Sequence, residues 1–119
     1  MGQVAAIEAL KSGEDSAAEM VEEYNRRRLV VIEGLRDVGL SCFEPRGAFY
    51  AFPSIRCTGM TSEEFAEKLL TEQKVAVVSG SAFGQCGEGY VRCCYATSRA
   101  DIEEALARMK RFVDKYRKA

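Results

Sequence analysis

No histidine occurs among the 119 residues, which removes Ser-His and Cys-His nucleophile pairs, the His-Glu-x-x-His metal helix and mixed Cys/His zinc sites together. Nor is one sign of charge in excess. Seventeen basic against 18 acidic residues leave a formal −1 and a sequence pI near 5.6, so no general field attracts nucleic acid or anionic lipid. No apolar run approaches the roughly 20 residues that cross a bilayer, and the start lacks the basic-then-apolar pattern of a signal peptide. The cysteines, at 42, 57, 86, 93 and 94, are odd in number and contain no Cys-x-x-Cys pair, so they read as free reduced thiols without a metal site. Internal repeats, low-complexity tracts and linkers are missing too. These absences predict one cytoplasmic domain with no nucleic-acid, membrane or metal partner, in which self-contained catalysis would be unusual.

What is present begins with helix. Gln3 to Lys11 carries Ala5, Ala6, Ala9 and Leu10 at helical spacing and reads as the end of a helix stopped by Ser12-Gly13. Asp15 and Ser16, with Glu19, are expected caps for a long helix to about Val38, which Gly39 ends. Met20, Val21, Tyr24, Val31, Leu35 and Val38 would form its buried stripe. The arginines at 26, 27 and 28 follow Glu22 and Glu23 in the favourable i,i+4 order, so a solvated or interface face explains them better than a phosphate site. Leu40–Glu44 and Ala48–Phe52 read as a hairpin around Pro45-Arg46-Gly47. Thr61 with Glu64 caps a helix to about Thr71, with Phe65, Leu69 and Leu70 inward. Ser98 with Asp101 caps the last helix, whose Ile102, Ala105, Leu106, Met109, Phe112, Val113 and Tyr116 recur at core spacing. Helices alternating with short strands, two of them joined by a tight turn, predict an α+β fold: a small mixed or antiparallel sheet with helices on one side.

The segment from Val75 to Ser98 is the most informative. Val75–Val78 is strand-like, the glycines at 80, 84, 87 and 89 interrupt regular structure, and Tyr90–Tyr95 returns to strand. Alternation puts Val91, Cys93 and Tyr95 on a core face and Tyr90, Arg92 and Cys94 on the other. A guanidinium held on a sheet needs an anion: either an internal carboxylate, for which Glu88 or Glu44 would serve, or a ligand. The glycine spacing, G-x3-G-x2-G-x-G, matches neither a dinucleotide fingerprint nor a P-loop. Lys74, beside Glu72 and Gln73, has nothing near it to depress its pKa as a Schiff-base lysine would need. The carboxylates at 22/23, 63/64 and 103/104 diverge on helices and are not acid/base pairs.

This run resembles the C-terminal signature of the class I/II aminotransferases, the fold-type-I pyridoxal-phosphate enzymes, and is closest to aspartate aminotransferase-like members. The resemblance extends through Gly47-Ala-Phe-Tyr50, Thr61-Ser-Glu-Glu64 and Ser98 to Lys115, nearly the whole chain. Ser79 departs from it, standing where relatives usually have proline, which would loosen the entry to the glycine loop.

The resemblance implies that residues 1–119 are the C-terminal small domain of a longer enzyme, with Met1-Gly2 a start added for expression. It implies that Arg92 binds the substrate α-carboxylate and that Ser81 and Phe83 approach the pocket from the glycine loop. The cofactor lysine, the partner of the pyridine nitrogen and the phosphate cradle would all lie in an N-terminal large domain. The fragment would then carry no catalytic or cofactor-binding residue and be inactive alone. The complete enzyme would bind pyridoxal 5′-phosphate, act on amino acids and 2-oxo acids, and work as a homodimer. Two other readings of the chain stand beside this one: the small domain of a pyridoxal-phosphate C–S lyase, and a free-standing module for carboxylate binding or assembly.

Overall fold

The structure, a computed structural model, describes residues 1–118. Four α-helices, α1 (Gly2–Ser12), α2 (Glu14–Val38), α3 (Ser62–Gln73) and α4 (Arg99–Tyr116), accompany three short strands, β1 (Tyr50–Ala51), β2 (Val78–Ser79) and β3 (Val91–Cys94). The sheet is antiparallel in the order β1-β3-β2, with Tyr50 opposite Cys94 and Val78 opposite Arg92. The α+β expectation therefore holds, and the strand carrying Arg92 is the central one.

Side-chain period decides which face of β3 is buried. Val91 and Tyr95 are almost wholly removed from water and join Ala51, Ile55, Leu35, Phe65, Leu69, Ile102, Phe112 and Val113 in one core. α2 and α3 both pack on α4, and Phe65 meets Phe112 edge to face at a centroid distance of 5.2 Å. Each large aliphatic or aromatic side chain buried this way contributes about 1.5–3 kcal/mol. The helices cover this face, and Arg92 is left on the opposite one.

Two of the three helix starts follow the predicted chemistry. The Glu64 N–H donates to Thr61 Oγ1 (3.2 Å), and the Asp101 N–H donates to Ser98 Oγ (3.1 Å). Gly39, at φ 80°, closes α2 as expected, in a conformation that costs a residue with a Cβ.

The start of α2 is a correction. Asp15 and Ser16 lie inside the helix, the residue before it is Gly13, and no side chain caps it. Gly13 keeps right-handed helical angles, donates to Ala9 O and accepts from Ala17 N, so the chain passes from α1 to α2 almost unbroken. Backbone hydrogen bonding here made a stop signal unnecessary.

Three predicted core residues are exposed: Met20 (56%), Val21 (69%) and Leu70 (49%). Their helical spacing is apolar, but no element of the described residues packs over them. The hairpin is reduced to a single antiparallel bridge between Cys42 and Pro53, with the Ser54 N–H donating to Ser41 O. β1 instead takes β3 as its partner. The strand predicted at Val75–Val78 forms its ladder only at Val78–Ser79, because Val75 turns into the core.

The arginine cluster behaves as the i,i+4 pattern predicted. Arg26 pairs with Glu22 and Glu23, and Arg27 with Glu23 at 2.7 Å. Arg28 crosses to Glu44, also at 2.7 Å.

Candidate functional site

Arg92 leaves the middle of β3 on the face away from the helices. Its Cζ lies 4.3 Å from the centroid of the Tyr50 ring and 4.8 Å from that of Phe83, so an aromatic side chain stands on each side of the cation. The rings continue outward. Phe83 meets Phe52 edge to face at 6.0 Å, Phe52 stacks on Tyr90 at 5.6 Å, and Arg56 lies over Tyr90 at 5.2 Å. This ladder gathers residues from β1, from the turn after β2 and from β3.

Among the described residues no carboxylate compensates the charge of the central arginine. Its buried Nε finds no hydrogen-bond partner among the described residues, nor does Arg92 enter an ion pair among them. The internal carboxylates that could have satisfied it are engaged elsewhere. Glu44 accepts from Arg28, and Glu88 accepts from the Ser62 N–H and Oγ at 2.8 and 2.7 Å. A buried guanidinium donor without an acceptor is costly in a folded protein and is tolerated where a ligand supplies the missing oxygen. A planar carboxylate matches the guanidinium fork, and flanking rings direct it to the in-plane edge.

The other two predicted positions fall in the turn between β2 and β3. A short 3-10 turn spans Gly80–Phe83. Phe83 is 52% exposed and reaches Arg92, whereas Ser81 points elsewhere. The Ser81 hydroxyl pairs with Ser79 Oγ (2.6 Å), and its N–H donates to Ser62 Oγ (3.3 Å). Ser81 thus belongs to the anchoring of the loop. Proline at position 79 could not make the Ser79 contacts. Hydroxyl bonding to Ser62 and Ser81 stands in for ring rigidity there.

Sequence reasoning missed Tyr50 as a partner of Arg92. The signal was present, since Tyr50 closes the Gly47–Tyr50 motif, but the hairpin reading gave that motif only a turn. Ser62 was missed as well. As the first residue of a capped helix it looked purely local, yet it is fully buried and bonded to three distant residues.

The described residues do not fit a carbonyl cofactor held through lysine. Lys74 is exposed, sits in left-handed geometry at the end of α3 and donates to Thr71 O. Lys68 and Lys115 pair with Glu64 and Glu72, and Lys110 donates to Asp37 O. Two of the thiols, Cys93 and Cys42, are kept protonated by burial. Burial pushes Cys93 up to about 12 and raises Cys42. Among the described residues no cluster of His, Cys, Asp or Glu could hold a metal, and no helix is long and apolar enough to cross a membrane.

Fold and site together give an α+β structure with an arginine, unpaired among the described residues, beside two aromatic rings. Comparison with known proteins supplies the class: the profile of aminotransferase class I and II matches residues 1–109, and the chain belongs to that family. Bacillus subtilis YugH, provisionally named an aminotransferase, is 58% identical over 115 residues, 97% of this chain and 30% of its own. The aspartate aminotransferase of Pyrococcus abyssi is 52% identical over 92% of this chain and 28% of its own. Among solved structures, an aromatic aminotransferase from Pyrococcus horikoshii superposes with a TM-score of 0.90 at 50% identity, over 95% of this chain and 31% of that one. A Clostridium difficile relative crystallised with pyridoxal phosphate bound gives 0.82 at 27% identity, over 88% of this chain and 28% of its own. The chain spans about 30% of the length of the curated relatives it matches.

Proposed function

We propose that the complete protein is a pyridoxal-phosphate-dependent aminotransferase moving an amino group between an amino acid and a 2-oxo acid, and that residues 1–119 contribute the α-carboxylate anchor, Arg92. The observation that carries the reading is the buried, unpartnered Arg92 Nε between Tyr50 and Phe83. Donor choice is consistent with it. Relatives about 50% identical over this segment are named for aspartate and for aromatic amino acids, which differ in side chain and share the α-carboxylate.

In this reading the cofactor is held by the remainder of the enzyme, since the residues described here do not fit it. Pyridoxal phosphate supplies the electron sink for chemistry at Cα. The contribution of this segment is orientation. Two parallel donors fix the carboxylate plane, and that plane sets the torsion at Cα. Tyr50 and Phe83 keep the guanidinium from rotating and exclude water from its faces. Phe83 is a pocket residue in this scheme and Ser81 supports the loop that bears it. The segment alone is inactive, and the complete enzyme works as a cytoplasmic homodimer.

The test is Arg92→Lys in the complete enzyme. Lysine keeps the charge and loses the fork, so KM should rise roughly a hundredfold for amino acids and 2-oxo acids alike, both of which carry the carboxylate. Unchanged KM values for both substrates would remove Arg92 from the site.

A further inference from the structure

The turn bearing Phe83 is tied to the start of α3 through Ser62 and the Glu88 carboxylate. Glu88 accepts two hydrogen bonds from Ser62, the first residue of α3, one from its N–H (2.8 Å) and one from its hydroxyl (2.7 Å). The same Ser62 oxygen accepts the Ser81 N–H (3.3 Å) and lies 3.0 Å from Ser79 Oγ, which pairs with Ser81 Oγ. The turn from Gly80 to Gly87 is therefore closed at its base by a hydroxyl whose own proton is committed to Glu88. Its two ends touch: a Cβ built on Gly80 would collide with Gly87 O, and one built on Gly87 with Gly80 O. Phe83, half in solvent, is not held by burial, so its place over Arg92 depends on the backbone beneath it.

We propose that Glu88 is a positioning residue for the carboxylate site, acting through Ser62 and the Ser81 N–H to hold Phe83 against the Arg92 guanidinium. The inference rests on the reading of Arg92 as substrate anchor. Charge matters to it. Both Ser62 donors converge on an ionised carboxylate, and charge-assisted bonds are roughly twice as strong as neutral ones. The Ser62 hydroxyl bond first, and the Ser62 N–H bond with it, hold the Glu88 pKa below the usual carboxylate range, so Glu88 is ionised at neutral pH. Glutamine offers one acceptor oxygen, no charge and an amide facing a donor. The loop should then lose its register while the polar volume is kept.

The experiment is a mutant cycle in the complete enzyme, with KM for the amino donor, kcat and the thermal midpoint measured on each protein. Glu88→Gln should raise KM roughly tenfold and change kcat by less than about twofold. In a Phe83→Ala background the same substitution should raise KM no further, because the group it positions is gone. Ser62→Ala, which keeps the N–H bond to Glu88 and removes the oxygen beneath Ser81, should reproduce the KM change if Glu88→Gln folds poorly. Equal KM effects of Glu88→Gln with and without Phe83 would overturn the proposal, as would a lowered thermal midpoint with unchanged KM. Arg92→Lys separates the two claims. If it raises KM and neither Glu88→Gln nor Ser62→Ala does, the anchor stands and the latch falls; if it leaves KM unchanged, both fall.

Discussion

A guanidinium between two rings is a residue-scale device, and each ring should contribute through its face. Tyr50 lies closer to Arg92 than Phe83 does, and the contact is with its ring centroid. Cation–π contacts are worth about 0.5–2 kcal/mol depending on how dry they are. Tyr50→Phe keeps the face and should leave KM for the amino donor within about twofold, whereas Tyr50→Leu should raise it several-fold. Steady-state kinetics on the complete enzyme would decide, and equal KM values for the two variants would show that the ring face contributes nothing. Arg92 was legible in the sequence because a two-residue period put an arginine opposite Val91 and Tyr95. Its uncompensated charge was not, because the sequence offered Glu44 and Glu88 as possible acceptors, and only folding shows them bonded to Arg28 and Ser62.

At the level of elements, local chemistry was readable and long-range chemistry was not. Thr61 and Ser98 cap their helices because a hydroxyl needs to reach only three residues along the chain. The same locality gives a pH signature at α4. Asp101 accepts from Ser98 Oγ and Thr97 Oγ1, which hold its carboxyl below the usual range, the Ser98 bond being the larger cause. A depressed native pKa means stabilisation that is complete above the pH where the unfolded carboxylate titrates, and lost as pH falls through the native value. Protection of the first amides of α4, measured by hydrogen exchange in the complete enzyme, should fall over that acidic interval, and Ser98→Ala should lower it at neutral pH and flatten the dependence. Unaltered protection in the variant would show that the cap is not held this way. The stripe of α2 is buried at Val31, Leu35 and Val38 but misled at Met20 and Val21, because periodicity reports which side of a helix is apolar, not whether a neighbour covers it. The hairpin at Pro45 misled because β1 pairs with β3, a partnership no turn residue announces.

For the whole molecule, much of the uncovered apolar surface belongs to α1 and the first turns of α2. α1 has no buried residue, and Val4 (72%), Leu10 (88%), Met20 (56%) and Val21 (69%) all face outward. Isolated apolar patches of this kind associate. Residues 1–119 prepared alone should therefore sediment as concentration-dependent oligomers, and Leu10→Glu with Val21→Glu should shift them toward monomer; a monodisperse monomer at high concentration would contradict this. The fold around Arg92 has the opposite character. The arginine rides on the central strand, Tyr50 belongs to one edge strand, and Phe83 follows directly from the other. The spacing of all three strands is thus read out at one cation. Sliding either edge strand by a fraction of a residue would change the distance of one ring from the guanidinium, so the environment of this one side chain reports the register of the whole sheet.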